Sequence, residues 1–403
     1  VEDNSLSTYE SSAPNPDDFI MLNNKGIMDS AFVDNAATSY YYSRGGAIFN
    51  DRGVISTIGN TLFEGNKAES VIDTNESSVN PRIASPYAVG GAIFNSESII
   101  NKIANSTFKN NSAINYNNGH AEGGAIYNGE YSEIRSIENT VFDGNKVEAG
   151  EYVYGGAIQN DAYIGNISGE FKNNAAISHG YWASGGAISA TSWDSYMGDI
   201  NANFTNNYAQ SDTGSAMGGG IALETGYYGN IIGDFTGNYA KGEDAYGGAV
   251  FLSESSRNGV PTISGTFSGN YAIASTTSGS WVSALGGAIY NGWSQRKESL
   301  SLADTPTTYQ AISEYNPVII NSSFINNYAK GEGEYSYASG GAIYTERDLD
   351  IIATDGYKSL ISGNYVEDGE GKRNEAIYSA WSNLQFIANN DGSIQIDDNI
   401  VID

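Results

Sequence analysis

The chain has 403 residues and a formal charge of −28, from 19 Lys and Arg against 47 Asp and Glu, which excludes the basic footprint that nucleic acid or an anionic membrane surface requires. Charged residues are nevertheless only 16% and aromatics 12%, so this is not the acidic, aromatic-poor composition of a disordered tail, and the chain is expected to fold. With no Cys there is neither a disulfide framework nor a thiol nucleophile, and no stretch approaches the roughly 18 apolar residues of a membrane helix, so direct membrane insertion is not expected.

Residues 1–26 contain Pro14, Pro16, Asp17-Asp18 and one apolar cluster from Phe19 to Leu22, and read as an N-terminal cap over an exposed sheet edge. The start at Val1 without a charged and apolar leader reads as that of a mature exported product. From 27 to 403 two short elements alternate without exception. One is a Gly-Gly-Ala/Gly-Ile/Val tetrad beginning at Gly45, Gly90, Gly123, Gly155, Gly185, Gly218, Gly247, Gly286 and Gly340, with a worn copy at Asn374-Glu375-Ala376-Ile377. The other is Phe-x-x-Asn at Phe32, Phe63, Phe108, Phe142, Phe171, Phe204, Phe235, Phe267 and Phe324, with Ile361 and Asn364 as its worn copy. A unit of about 30 residues recurring in this way specifies a repeat architecture.

Gly, Asn, Ser and Thr at the turns and β-branched or aromatic residues between them exclude a helical solenoid. Strand candidates such as Ala157 to Asn160 and Ile164 to Phe171 are too short to pair within one unit and must pair between units. The expected fold is all-β, a right-handed single-stranded parallel β-helix of about ten coils. The tetrad Ile or Val points inward and the residue after it outward, because that next position tolerates Phe, Tyr, Gln, Ser and Ala. Ile precedes Phe by four residues at Ile167, Ile200, Ile231, Ile263 and Ile320, placing both inside. Ile58, Ile103 and Ile137 precede Phe by five, which predicts a bulge in those units. The Asn after each Phe is expected at a turn, with side-chain amides bonded along the stack.

The alternation of Gly-Gly-Ala-Ile with Phe-x-x-Asn over residues 27–403 resembles the repeat of chlamydial polymorphic membrane proteins and, more broadly, autotransporter passenger domains; Gly123 to Asn128 and Gly286 to Asn291 spell GGAIYN in full. The stretch from Leu384 to Ile400 looks like the post-repeat segment leading to a translocator β-barrel, which this chain does not contain. The resemblance implies surface display, at a bacterial cell surface or outside the cell, and adhesion or self-association. The implied partner is a glycan or protein on another cell, or a second copy of the chain.

Loops on one flank of a solenoid are its usual binding face. The segment joining Phe-x-x-Asn to the next tetrad varies most and carries aromatics and carboxylates. Its candidate ligand-binding residues are Tyr152, Tyr154, Tyr181, Trp182, Tyr246, Trp281, Tyr335 and Tyr337. Two insertions, at 70–87 and 292–317, are the largest departures from the repeat, and Trp293 beside Arg296-Lys297 makes the second a further candidate. The alternative is a carbohydrate-active β-helix enzyme, a polysaccharide lyase or hydrolase, which needs converging carboxylates. The acidic pairs Asp17-Asp18, Glu243-Asp244, Asp348 with Asp350, and Asp397-Asp398 each lack a partner one unit away, so no catalytic residue is assigned and the chain is read as no enzyme. His120 and His179 read as surface histidines. No metal site or cofactor is expected, although loop carboxylates and Asn carbonyls leave calcium open.

Overall fold

The computed structural model describes residues 26–71, 86–116, 118–253, 261–276, 279–292 and 317–403. The expected N-terminal cap, most of both insertions, and Trp293 with Arg296 and Lys297 lie outside them. Every described element is a strand, and the strands stack as a parallel β-helix. A coil runs through four sheets in turn, here called A to D. In coil 1 these are Ala31–Val33 in A, Ala36–Ser39 in B, Tyr42–Arg44 in C and Ile48–Asp51 in D. Sheet C holds nine strands, and B and D eleven each.

The interior divides into two lobes. Between A and D lies a core of Ile and Phe, in which the nine Phe rings from Phe32 to Phe324 stack in one column at 4.6–5.0 Å. Between B and C the inward-facing hydrophobic residues are Ala and Val, joined by small polar residues such as Ser43. Small side chains there bring the two sheets close together. The tetrad glycines stand at the waist between the lobes, each for a different reason. The first adopts φ of +60 to +68°, open to Gly at no steric cost. A side chain on the second would collide with the backbone of the next coil: a Cβ on Gly156 would lie 2.7 Å from Ala175 N.

At the corner from A to B the repeat asparagines form one ladder, half-buried at Asn35 and fully or nearly fully buried from Asn66 on. From Asn35 to Asn364 each Nδ2 donates to Oδ1 of the next Asn at 2.8–3.0 Å. The second Nδ2 proton goes to the Phe carbonyl of the preceding coil, as from Asn174 to Phe142 at 3.0 Å. The ladder ends on Asp398, whose carboxylate accepts from Asn364 Nδ2 at 2.8 Å and needs no further acceptor itself. A second ladder in D joins Asn50, Asn95, Asn128 and Asn160 at 2.7–2.8 Å. The Asn of GGAIYN therefore has a structural role that the repeat pattern alone did not reveal.

The expected bulges are present. Ile58, Ile103 and Ile137 are all buried with their Phe partners, and the extra residue is absorbed by Asn60, Asn105 and Asn139 at φ of 48–50°. Asn tolerates this left-handed conformation because its short polar side chain bonds locally. The fifth four-residue pair is corrected: Ile319, not Ile320, is buried, at a spacing of five from Phe324, and Asn321 at φ 51° supplies the bulge.

At the C-terminal end one of the two lobes is capped. In coil 10 the strand Tyr365–Asp368 turns back through Gly371–Asn374, the one antiparallel pairing among the described residues. Asp368 and Arg373 pair at 2.8 Å and replace the missing C strand: Asp368 Oδ2 accepts from Ala338 N at 3.1 Å and Arg373 Nη2 donates to Ala338 O at 3.2 Å. After Ser393–Ile396 in A the chain passes directly to Ile400–Ile402 in D. The B/C lobe has thus stopped while the A/D lobe continues. This explains the worn tetrad: with no following B strand to strike, position 375 accepts a side chain, and Glu375 Oε1 receives Gly340 N at 2.9 Å.

Candidate functional site

The segment read as a variable loop is instead sheet C. Its middle residues, among them Ala88, Ala121, Val153, Ala183, Ala216, Ala245, Ala284 and Ala338, are buried in the B/C lobe, so the first and third residues of each strand face outward. Three residues are too few to show alternation in a sequence.

The first outward column is aromatic over five coils. Tyr42, Tyr87, His120, Tyr152 and Trp182 are in register. Ring centroids are 6.0, 4.8 and 4.8 Å apart from Tyr42 to Tyr152, and Trp182 meets Tyr152 edge-on at 5.4 Å. Tyr181 stacks on Tyr152 at 5.2 Å and is 54% exposed. Within the column ring faces are occupied by neighbouring rings, leaving edges and hydroxyls outside and open faces only near its end. Burial lowers the His120 pKa below 6.5 and keeps that ring neutral in the stack. Beside the ridge, His179 bridges three coils: Nδ1 lies 2.8 Å from Asp212 and Nε2 3.1 Å from Glu148, and these two carboxylates raise its pKa.

Of the sequence-derived candidates, the structure brings Tyr152, Tyr181 and Trp182 together on this ridge. Tyr154 occupies the third strand position, facing the angle between C and D. Tyr246 is 4% exposed and belongs to a hydrophobic cluster, which removes it from any exposed face. Trp281 and Tyr335 form a separate pair at 5.6 Å in coils 8 and 9, with Tyr337 hydroxyl bonded to Ser339 at 3.1 Å. Trp293 lies outside the described residues. Tyr42, Tyr87 and His120 were missed, and a fixed offset of three residues before each tetrad would have found them.

The third column of C faces the residues that follow the tetrad Ile or Val in D. Those residues leave the central core as expected, and most are covered within the angle rather than open to solvent. In coils 6 to 10 Met217, Tyr246 and Leu285 pack with Ala222, Phe251, Tyr290 and Tyr344 and close the angle. In coils 1 to 3 the same angle is a cleft of about 460 Å³, with Arg44, Glu122, Phe94 and Tyr127 in its walls. Burial pushes the enclosed Glu122 carboxyl well above the ordinary carboxylate pKa, and Asp161 one coil on adds to the shift.

At least one member of each described acidic pair weighed for catalysis serves a structural bond. Asp398 ends the Asn ladder, Asp348 Oδ1 accepts from Asn383 N at 2.7 Å, and Asp244 accepts from Ser283 N at 2.8 Å. Among the described residues no three His, Asp or Glu side chains are grouped to hold a metal ion.

No curated protein and no solved structure matches the chain. Residues 321–346, which span one Phe-x-x-Asn and one tetrad of coil 9, match the Chlamydia polymorphic membrane protein repeat, and with the parallel β-helix this similarity agrees with an autotransporter-like repeat protein.

Proposed function

We propose that the chain is a surface-displayed or secreted passenger domain, exported at a bacterial cell surface, that acts in adhesion or self-association through the outer flank of sheet C. The partner is a glycan or protein on another cell, or a second copy of the chain. The observation that carries this reading is the aromatic ridge from Tyr42 to Trp182, held on a rigid stack and ending in the exposed Tyr181. Tyr and Trp offer apolar area together with a polar tip, the combination enriched at binding surfaces. The repeat match supports surface display. A non-enzymatic role is favoured because at least one member of each described acidic pair is engaged in a structural hydrogen bond.

The test uses the 403-residue chain on beads, scored for attachment to cells and for bead clustering. Tyr181→Ala with Trp182→Ala is expected to weaken attachment or clustering about tenfold, with an unchanged circular dichroism spectrum. Undiminished attachment by that variant would overturn the role of the flank. Depolymerisation of pectin or alginate by the purified chain would favour the enzymatic alternative instead.

A further inference from the structure

The cleft between sheets C and D in coils 1 to 3 contains none of the residues that the sequence pointed to. Its C wall is the outward column Arg44, Val89 and Glu122, and Phe94 and Tyr127 stand on the D wall. We propose that this cleft binds a neutral, hydroxyl-rich oligosaccharide lying along the solenoid axis. The inference rests on the adhesive reading and sharpens it, because it names a ligand class and a place.

The size fits, since about 460 Å³ lies within the range of small-ligand pockets. Arg44 and Glu122 are two coil steps apart, roughly 10 Å at the usual strand spacing, a span suited to a short chain of sugar rings rather than a single small ion. The chemistry is divided between the walls. The exposed Arg44 guanidinium lies over the rings of Tyr42 and Phe94, at 5.5 and 5.3 Å from their centroids, and makes no ion pair with a described residue. It therefore has donors to offer. Glu122, whose enclosure raises its pKa and so favours the protonated form, is a second donor in that form. The opposite lip carries Asp51, Glu97 and Glu130, which are acceptors, Glu97 sharing its carboxylate with Arg52 at 2.9 Å.

Donors facing acceptors over a buried floor of Val89 and Phe94 match the hydroxyl-bearing edge of a sugar ring. An anionic polymer would meet three lip carboxylates and a chain of charge −28, and with Arg44 and Arg52 also in its walls the cleft carries both signs of charge rather than one. In coils 6 to 10 Tyr290 and its neighbours occupy the equivalent space, so the ligand is confined to the first half of the groove.

The experiment is isothermal titration calorimetry of the full chain with cellohexaose, maltohexaose and mannohexaose, and with hexagalacturonate and a chitosan hexamer as charged arms. A neutral hexamer is expected to bind. Arg44→Ala should weaken it about tenfold, and Arg44→Lys, which keeps the charge and loses the planar fork, about threefold. Glu122→Gln should keep binding where the wild type loses it as pH rises through the folded Glu122 pKa. Binding by charged hexamers alone, by no hexamer, or equally by Arg44→Ala would overturn the proposal. A chain that attaches to cells but ignores all hexamers loses this inference and keeps the adhesive reading. One that binds a hexamer through Arg44 but attaches to neither cells nor itself keeps the cleft and loses that reading.

Discussion

The two halves of the groove between sheets C and D share one backbone, and side chains at two outward columns decide what each half is. In coils 6 to 10 Met217, Tyr246, Phe251, Leu285 and Tyr290 fill the angle and make it a third hydrophobic cluster. In coils 1 to 3 Arg44, Glu122 and Tyr127 line a cleft at the equivalent place. A solenoid can therefore turn one surface into core or into a site coil by coil, because the inward positions that hold the stack are untouched by the choice.

The comparison breaks first if the interiors of the halves differ. Phe108→Ala and Phe267→Ala remove equivalent, fully buried rings and should each cost about 3–5 kcal/mol in denaturant unfolding. A gap between them larger than the error of the measurement would show that the halves differ inside as well as outside. Next in size is Tyr290→Ala, which opens the filled half and is expected to cost about 3 kcal/mol, whereas Arg44→Ala on the open half should cost under about 0.5 kcal/mol. Equal losses would mean that the open half is core too.

A smaller effect concerns Glu122. Its folded pKa is raised above the unfolded value, so the folded state binds the extra proton, and stability falls as pH rises from the ordinary carboxylate range through the folded pKa. Glu122→Gln should flatten that decline in thermal melts at several pH values and leave the acid side unchanged. The smallest effect distinguishes the two histidines. His179, raised by Asp212 and Glu148, contributes stability that is present below the unfolded pKa and lost as pH rises through its folded one. His120, lowered by burial, acts in the opposite sense and loses stability as pH falls. Imidazole NMR titration should place His179 above 6.5 and His120 below it.

Much of the fold was legible because its chemistry recurs at fixed offsets. Phe171 and Asn174 answer to equivalents in nearly every coil, so the Phe column, the amide ladder and the Ile137 bulge could be expected from spacing alone. Ile319 escaped because Ile319 and Ile320 are both Ile, and which one turns inward depends on where Asn321 takes up its left-handed turn. The site was less legible. Sheet C strands have three or four residues, most with one buried Ala, a pattern indistinguishable from a loop until neighbouring coils lie beside it. Tyr246 and Tyr152 belong to the same variable segment of their units, yet one faces the filled groove and the other the ridge.

The sequence by itself determined the solenoid. Gly at the waist, Phe and Ile in one lobe, Ala in the other and Asn at the corner each meet a local requirement that repeats every coil. Only the tertiary structure decided which outward columns meet. The angle between sheets C and D sets Arg44 opposite Phe94, from the next coil, and Met217 beside Phe251, and that angle arises from the stacking of many coils rather than from any one of them. A groove is a relation between surfaces distant along the chain, and no single repeat contains it.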